Sequence, residues 1–226
     1  MLRRGSLPPI HSIRPCGRTE PWDLRPRTLG VLAPLVRAPQ LNQRGPLWVF
    51  GYGSLMWRPG FPFVASSQAT LPGYHRSFCV YSHVWRGTVE KPGLVLGLTP
   101  GGSCRGVAFR VADQDRADVL DYLHDRELGT YAYLPLTLPV ELAEGGPVGA
   151  YCFVADTTHP QYAGDLPQDQ AVRIIMDAEG KGGLNRDYLI NTVKELDRHG
   201  YAEPQLRDLL AEVARRTGII EQGGGI

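Results

Sequence analysis

The sequence predicts an α+β domain, a curved and mostly antiparallel sheet packed by helices. Three observations lead there. From Leu47 onward the chain breaks into short apolar runs of strand length, most of them bounded by Gly or Pro. One amphipathic helical segment interrupts those runs, and the last third of the chain turns helical throughout. A length of 226 residues with 42% hydrophobic content supplies one well-buried core, so a single domain with tails is expected.

Taken in order, Leu47, Trp48, Val49 and Phe50 form a buried strand that runs into a tight Gly51-Tyr52-Gly53 loop. Further strands are expected at 78–84, 94–98, 106–111, 133–140 and 148–154. Between them, residues 113–124 read as a helix with Asp113 as N-cap and Ala117, Leu120 and Leu123 on its inner face. Residues 169–178 form a helix that stops at Gly180-Lys181-Gly182-Gly183. Asn185 caps the next, with Tyr188, Leu189, Thr192, Val193 and Leu196 inward, and Pro204 opens a last one bearing Leu206, Leu209, Leu210 and Val213. The expected domain spans 46–218, with a flexible tail at 219–226.

Residues 1–45 have another texture. Up to Arg44 there are eight arginines, no lysine and only Glu20 and Asp23 as acids, with many prolines between them. This reads as a largely disordered extension in which 29–36 is apolar enough for a short docked helix. An Arg-rich start also suits an organelle transit peptide, but the two acids and the prolines weaken the amphipathic helix that such a signal needs. No apolar run approaches the ~18–20 residues of a membrane span, so cytoplasmic residence is expected. A net charge of +1 gathers neither nucleic acid nor an anionic membrane, and a small-molecule partner fits better. No obligate protein partner is predicted. Cys16, Cys79, Cys104 and Cys152 are widely spaced and read as reduced, mostly buried thiols.

Familiar catalytic signatures are missing: there is no H-E-x-x-H, no G-x-S-x-G and no complete P-loop. His11, His75, His83, His124, His159 and His199 never fall at i, i+4 or beside a ligand-like cysteine, so no metal and no cofactor are expected. Two features remain. The Val49-Phe50-Gly51-Tyr52-Gly53-Ser54-Leu55 turn is either an ordinary strand end or a loop whose amides face an anion, since glycines permit positive φ and close ligand approach. The Asp125-Arg126-Glu127-Leu128-Gly129-Thr130-Tyr131 cluster is either solvated surface or a site. Gly129 suits a helix C′ position and Arg126 suits the negative helix end, whereas Glu127 opposes the dipole and gains nothing structural there.

Together these features resemble the ChaC-like γ-glutamylcyclotransferases, in which V-F-G-Y-G-S-L precedes R-E-x-G-x-Y. The likeness continues through Leu71-Pro72-Gly73-Tyr74 with Arg76, Arg86-Gly87-Thr88-x-x-Lys91-Pro92-Gly93, and Gly101-Gly102-x-Cys104-x-Gly106-Val107-Ala108-Phe109-Arg110. It extends to His159-Pro160-x-Tyr162 and Asn185-x-x-Tyr188-Leu189, covering roughly 47–210 in the right order. The resemblance implies a γ-glutamylcyclotransferase-like fold with a small barrel. It also implies a substrate loop of Val49, Phe50, Gly51, Tyr52, Gly53 and Ser54, with Glu127 as general base. Some members place a helper tyrosine on the strand that matches 148–154, where this chain has Phe153 and, two residues earlier, Tyr151. The implied enzyme is a lyase that cleaves glutathione to 5-oxoproline and Cys-Gly by attack of the γ-glutamyl α-amine on its own γ-carbonyl. Burial near Tyr131 or Tyr52 would raise Glu127 toward neutral pH. Two alternatives stay open: cyclisation of other γ-glutamyl amines or dipeptides, and a non-enzymatic regulatory module linked to cation transport.

Overall fold

A computed structural model describes residues 45–129 and 132–218. The expected extension up to Arg44, the tail, Cys16 and the aromatic contact of Tyr131 lie outside the described residues. The strands are β1 (Leu47–Gly51), β2 (Ala65–Ser82), β3 (Gly93–Val111), β4 (Tyr133–Leu142) and β5 (Pro147–Ala155), closing into a barrel of order β1-β3-β2-β4-β5. All neighbours are antiparallel except β1 and β5. The expectation of a curved, mostly antiparallel sheet with a small barrel is therefore borne out.

The strands are longer than their sequence punctuation suggests. Separate strands at 94–98 and 106–111 are one β3, and β2 begins 13 residues before Phe78. The Gly-Pro signals do not end these strands; they bend them. Gly73 (φ 79°) marks a register shift between Pro72 and Tyr74, and Gly101 and Gly102 (φ 105° and 66°) lie on the facing strand. A second irregularity falls at Cys79, between Phe78 and Val80. Bulges of this kind increase twist and re-aim side chains, which a long hairpin needs in order to wrap a barrel.

Two apolar layers result. Inside the barrel, Phe50, Leu71, Leu94, Leu98 and Cys152 pack with the inner faces of three helices, α3 (Gln168–Asp177), α4 (Asn185–Arg198) and α5 (Pro204–Thr217). Outside it, Val49, Phe109, Val111, Tyr151 and Phe153 pack under α1 (Ser54–Trp57) and α2 (Arg116–Glu127). No described helix is long and apolar enough to cross a membrane. Cys79, Cys104 and Cys152 are buried and unpaired.

Two helix starts differ from expectation. Asp113 opens a 3₁₀ turn, Asp113–Asp115, with no side-chain cap, and α2 follows it with Val119 and Leu123 buried and Ala117 outside. Leu123 and Leu120 lie on the covered face as expected, and Val119 takes the place assigned to Ala117. Asn185 is the first residue of α4 rather than its cap. Its fully buried amide is engaged across the chain, accepting from Leu94 N–H and donating to Leu94 C=O, both at 2.7 Å. It thus closes an end of β3 as a neighbouring strand would.

The loop between β2 and β3 is held against a small hairpin, β6 (Glu179–Gly180) and β7 (Gly183–Leu184). Lys181 and Gly182 amides donate to the Val84 and Trp85 carbonyls at 2.8 Å each. A Cβ on Gly180 would meet main-chain atoms of Val84, Trp85 and Gly87 at 2.6 Å, so only glycine permits this crossing. Replacing Asn185 by Ala orphans a buried donor and a buried acceptor, and a loss of about 2–4 kcal/mol is expected in denaturant unfolding; a loss below ~0.5 kcal/mol would mean that the Leu94 contact does not hold α4 in place.

Candidate active site

One end of the barrel gathers the C-terminal ends of the parallel strands β1 and β5 with the start of antiparallel β4, where Tyr133 pairs with Ala155. At this end β1 turns through Tyr52 and Gly53 into α1. Gly51 and Gly53 do not adopt positive φ. They are glycines because of close packing: a Cβ on Gly51 would lie 3.1–3.2 Å from Leu55 and Met56, and one on Gly53 would lie 3.3 Å from Leu96 Cδ1. The turn is closed by Met56 N–H to Gly53 C=O and Arg58 N–H to Ser54 C=O, both 2.8 Å. Among the described residues, the amides of Tyr52, Gly53, Ser54 and Leu55 have no hydrogen-bond acceptor.

The proposed loop residues divide at Gly51. Val49 and Phe50 have no exposed surface; Val49 faces α2 and Phe50 the barrel interior, and both pair with β3. They anchor the loop, and their side chains cannot reach a ligand. Tyr52 and Ser54 lie on the site side.

Glu127 ends α2 and extends its buried stripe, because Val119, Leu123 and Glu127 recur every four residues. The carboxylate is 21% exposed and lies 3.0 Å from Arg126 Nε. Arg126 fastens this helix end to the β1–α1 turn. Its Nη2 donates to Ser54 Oγ (3.0 Å), and its Nη1 donates to Arg58 C=O (2.7 Å), Pro59 C=O (3.2 Å) and the Tyr122 hydroxyl (2.8 Å). Burial pushes the Glu127 carboxyl above the usual range, and Arg126 offsets only part of that rise.

Three phenols feel the charge of Glu127: Tyr52, Tyr133 and Tyr188. Burial holds Tyr52 and Tyr133 well above the ordinary phenol range and Tyr188 at about 12, so all three are protonated donors at neutral pH. Tyr133 donates to Leu96 C=O at 2.7 Å. Cys79, at the β2 bulge, is pushed to about 11 by burial and remains a thiol. Tyr151 lies elsewhere: its hydroxyl is 2.6 Å from His124 Nε2, and it packs with Phe153 in the layer under α2. On β5, where some family members place a helper tyrosine, both Tyr151 and Phe153 face the layer under α2.

The ChaC-like protein family matches residues 47–216. The chain belongs to the ChaC-like family. A glutathione-specific gamma-glutamylcyclotransferase of Escherichia coli (strain K12) is 37% identical over 194 residues, covering 86% of this chain and 83% of that protein. Glutathione-specific gamma-glutamylcyclotransferase 1 of Homo sapiens is 34% identical over 166 residues, 72% of this chain and 73% of that protein. A solved gamma-glutamyl cyclotransferase specific to glutathione from yeast has the same fold, with TM-score 0.68 at 20% identity over 76% of this chain and 99% of that one.

In this ChaC-like domain the sequence pointed to Glu127 and to the β1–α1 turn, and the structure brings them together through Arg126. The proximity of Tyr133 and Tyr188 to Glu127 was not read from the sequence. Tyr188 carried a signal, being the one aromatic among the inward positions of α4 and bearing a polar tip. Among the described residues no group of three or more His, Cys, Asp or Glu is placed to hold a metal.

Because Arg126 lowers the Glu127 pKa while burial raises it, Arg126→Gln is expected to move the Glu127 titration further upward. Carboxyl-labelled NMR measures this directly. An unchanged or lowered titration would show that the guanidinium does not act on this carboxylate.

Proposed function

We propose that this chain cyclises the γ-glutamyl group of glutathione, releasing 5-oxoproline and Cys-Gly, with Glu127 as general base and the Tyr52-Gly53-Ser54 turn as substrate loop. The observation that carries this reading is a mostly buried carboxylate of raised pKa, whose charge is felt by three protonated phenols, beside a turn with unpartnered amides. Relatives named as glutathione-specific cyclotransferases support it.

The α-ammonium of the γ-glutamyl residue gives a proton to Glu127, and the freed amine attacks the γ-carbonyl carbon. A carbon–nitrogen bond forms, closing the lactam, and the carbonyl oxygen gains negative charge. Amides of the β1–α1 turn and a phenol hydroxyl stabilise that oxygen or grip the α-carboxylate. The intermediate collapses by breaking the bond to the cysteine nitrogen, which takes the first proton from Glu127 and leaves as an amine. The ring nitrogen then gives its second proton to the freed carboxylate, which passes it to the departing amine or to water. The nucleophile belongs to the substrate, so no activated Ser or Cys is needed. An ordinary glutamate near pKa 4.3 accepts an ammonium proton poorly at neutral pH, and burial corrects that mismatch. The turn and α2 must also hold amine and carbonyl carbon within about 3–3.5 Å, the distance of a reactive conformer.

The domain is proposed to work from 46–218, and a cytoplasmic setting suits its reduced buried thiols. Deleting residues 1–45 is expected to leave kcat/KM for glutathione within about twofold, since no proposed site residue lies there; a collapse of activity would assign the extension a role.

Purified protein incubated with glutathione should yield 5-oxoproline and Cys-Gly, and Glu127→Gln should reduce kcat by about 10²–10⁴-fold. Folding should survive. Raised in the folded state, the Glu127 pKa means that ionisation opposes folding above it, a cost that vanishes below the unfolded value. The Gln variant should therefore melt no earlier than wild type at pH 8. Activity needs the deprotonated carboxylate, so kcat/KM should fall as pH drops through a pKa higher than that of a free glutamate. Full turnover by Glu127→Gln would refute the base. Preference for γ-glutamyl-alanine or γ-glutamyl amines would replace glutathione as substrate, and binding without turnover would favour a regulatory module.

A further inference from the structure

The Arg86-Gly87-Thr88-x-x-Lys91-Pro92-Gly93 motif takes no part in the chemistry above, yet the fold fixes Arg86 beside it. Arg86 N–H donates to Ser82 Oγ at 3.0 Å, and Nη1 donates to Gly182 C=O and reaches Leu184 C=O at 3.5 Å. The guanidinium carbon stands 5.2 Å from the centre of the Tyr188 ring. Every one of these partners is neutral. Among the described residues no carboxylate lies within ion-pair distance of Arg86. Of the nearby acids, Asp187 faces Arg186 at 4.0 Å, and the Glu90 carboxylate is held by Thr88 and its own amide.

A guanidinium immobilised by carbonyls and an aromatic face, half removed from water and without counter-charge, binds a carboxylate with little further loss of freedom. Tyr188 sets its distance from the chemistry. One face of that ring carries Arg86, Phe78 packs edge-on at 5.6 Å, and the hydroxyl end lies in the field of Glu127. Base and cation therefore flank one phenol. From a scissile bond at Glu127, two leaving residues extend ~7 Å and end in a free carboxylate.

We propose that Arg86 is a specificity-determining residue that receives the terminal carboxylate of the leaving dipeptide, so that the enzyme selects γ-glutamyl tripeptides with a free C-terminus over the same peptides capped as amides. This rests on the cyclotransferase reading of the Glu127 site.

The test compares glutathione with glutathione amidated at its glycine carboxyl, using the full chain as wild type, Arg86→Gln and Arg86→Lys. Wild type should favour the free acid about 10–100-fold in kcat/KM, the worth of a charge-assisted contact. In Arg86→Gln the ratio should fall to within about threefold of unity, chiefly through KM, while Arg86→Lys keeps part of it. A wild-type ratio near one overturns the proposal. So does an equal loss on both peptides in Arg86→Gln, the signature of a residue that only clamps the β6–β7 hairpin. If Arg86→Gln does not fold by circular dichroism, the wild-type and Arg86→Lys ratios decide. Calorimetry of both peptides on Glu127→Gln separates the two levels: tighter binding of the free acid without any wild-type turnover rejects the activity and keeps the Arg86 contact, and turnover at equal rates does the reverse.

Discussion

A carboxylate kept mostly out of water at the end of a helix is the constraint on which this structure turns. The helix dipole opposes it there, and burial raises its proton affinity further. A dedicated arginine would normally cancel both effects. Here Arg126 divides its donors among Glu127, Ser54, two main-chain carbonyls and the Tyr122 hydroxyl, so its charge compensates only in part. The same shared guanidinium ties α2 to the turn after β1. The proton affinity of Glu127 and the placement of the turn thus depend on one set of contacts.

The barrel supplies the rigidity that this arrangement needs. Leu96 is a meeting point: its carbonyl accepts from Tyr133, its methyl packs closely under residue 53, and its neighbour Gly97 leaves room for Cys79 Sγ, which would lie 2.7 Å from a Cβ there. The bulge at Cys79 falls on the facing strand. Strand bending and the wall of the site are consequences of the same local geometry. A side chain added at either glycine would disturb both.

On the opposite flank, glycine crossings and the Asn185 amide fasten α4 and the β6–β7 hairpin to the long β2–β3 pair. This brings Tyr188 to the barrel mouth with Arg86 on its face. At the α5 end, Tyr201 donates to Gly106 C=O at 2.8 Å, and buried Arg76 meets Glu203 at 3.3 Å and Cys104 Sγ at 3.2 Å. The C-terminal helices are therefore joined to the barrel by specific polar contacts as well as by apolar packing.

What the residues alone determined is what local chemistry determines. Apolar runs located the strands, periodicity located the three C-terminal helices, and the mismatch with the helix dipole singled out Glu127 as the acid without a structural reason. Strand length was hidden, because Gly73 and Gly101 break a pattern locally whether the chain ends a strand or bends one. On α2 the expected Leu120 and Leu123 are on the covered face but Ala117 is not, since Ala117 and Val119 are both apolar and only contact with the barrel decides which of them is covered. Asn185 looked like a cap because its amide can satisfy a helix amide as well as Leu94, 91 residues away. The gathering of Tyr52, Tyr133 and Tyr188 around one carboxylate was invisible for the same reason: it joins a turn, a strand and a helix far apart in the chain, and only closure of the barrel makes them neighbours.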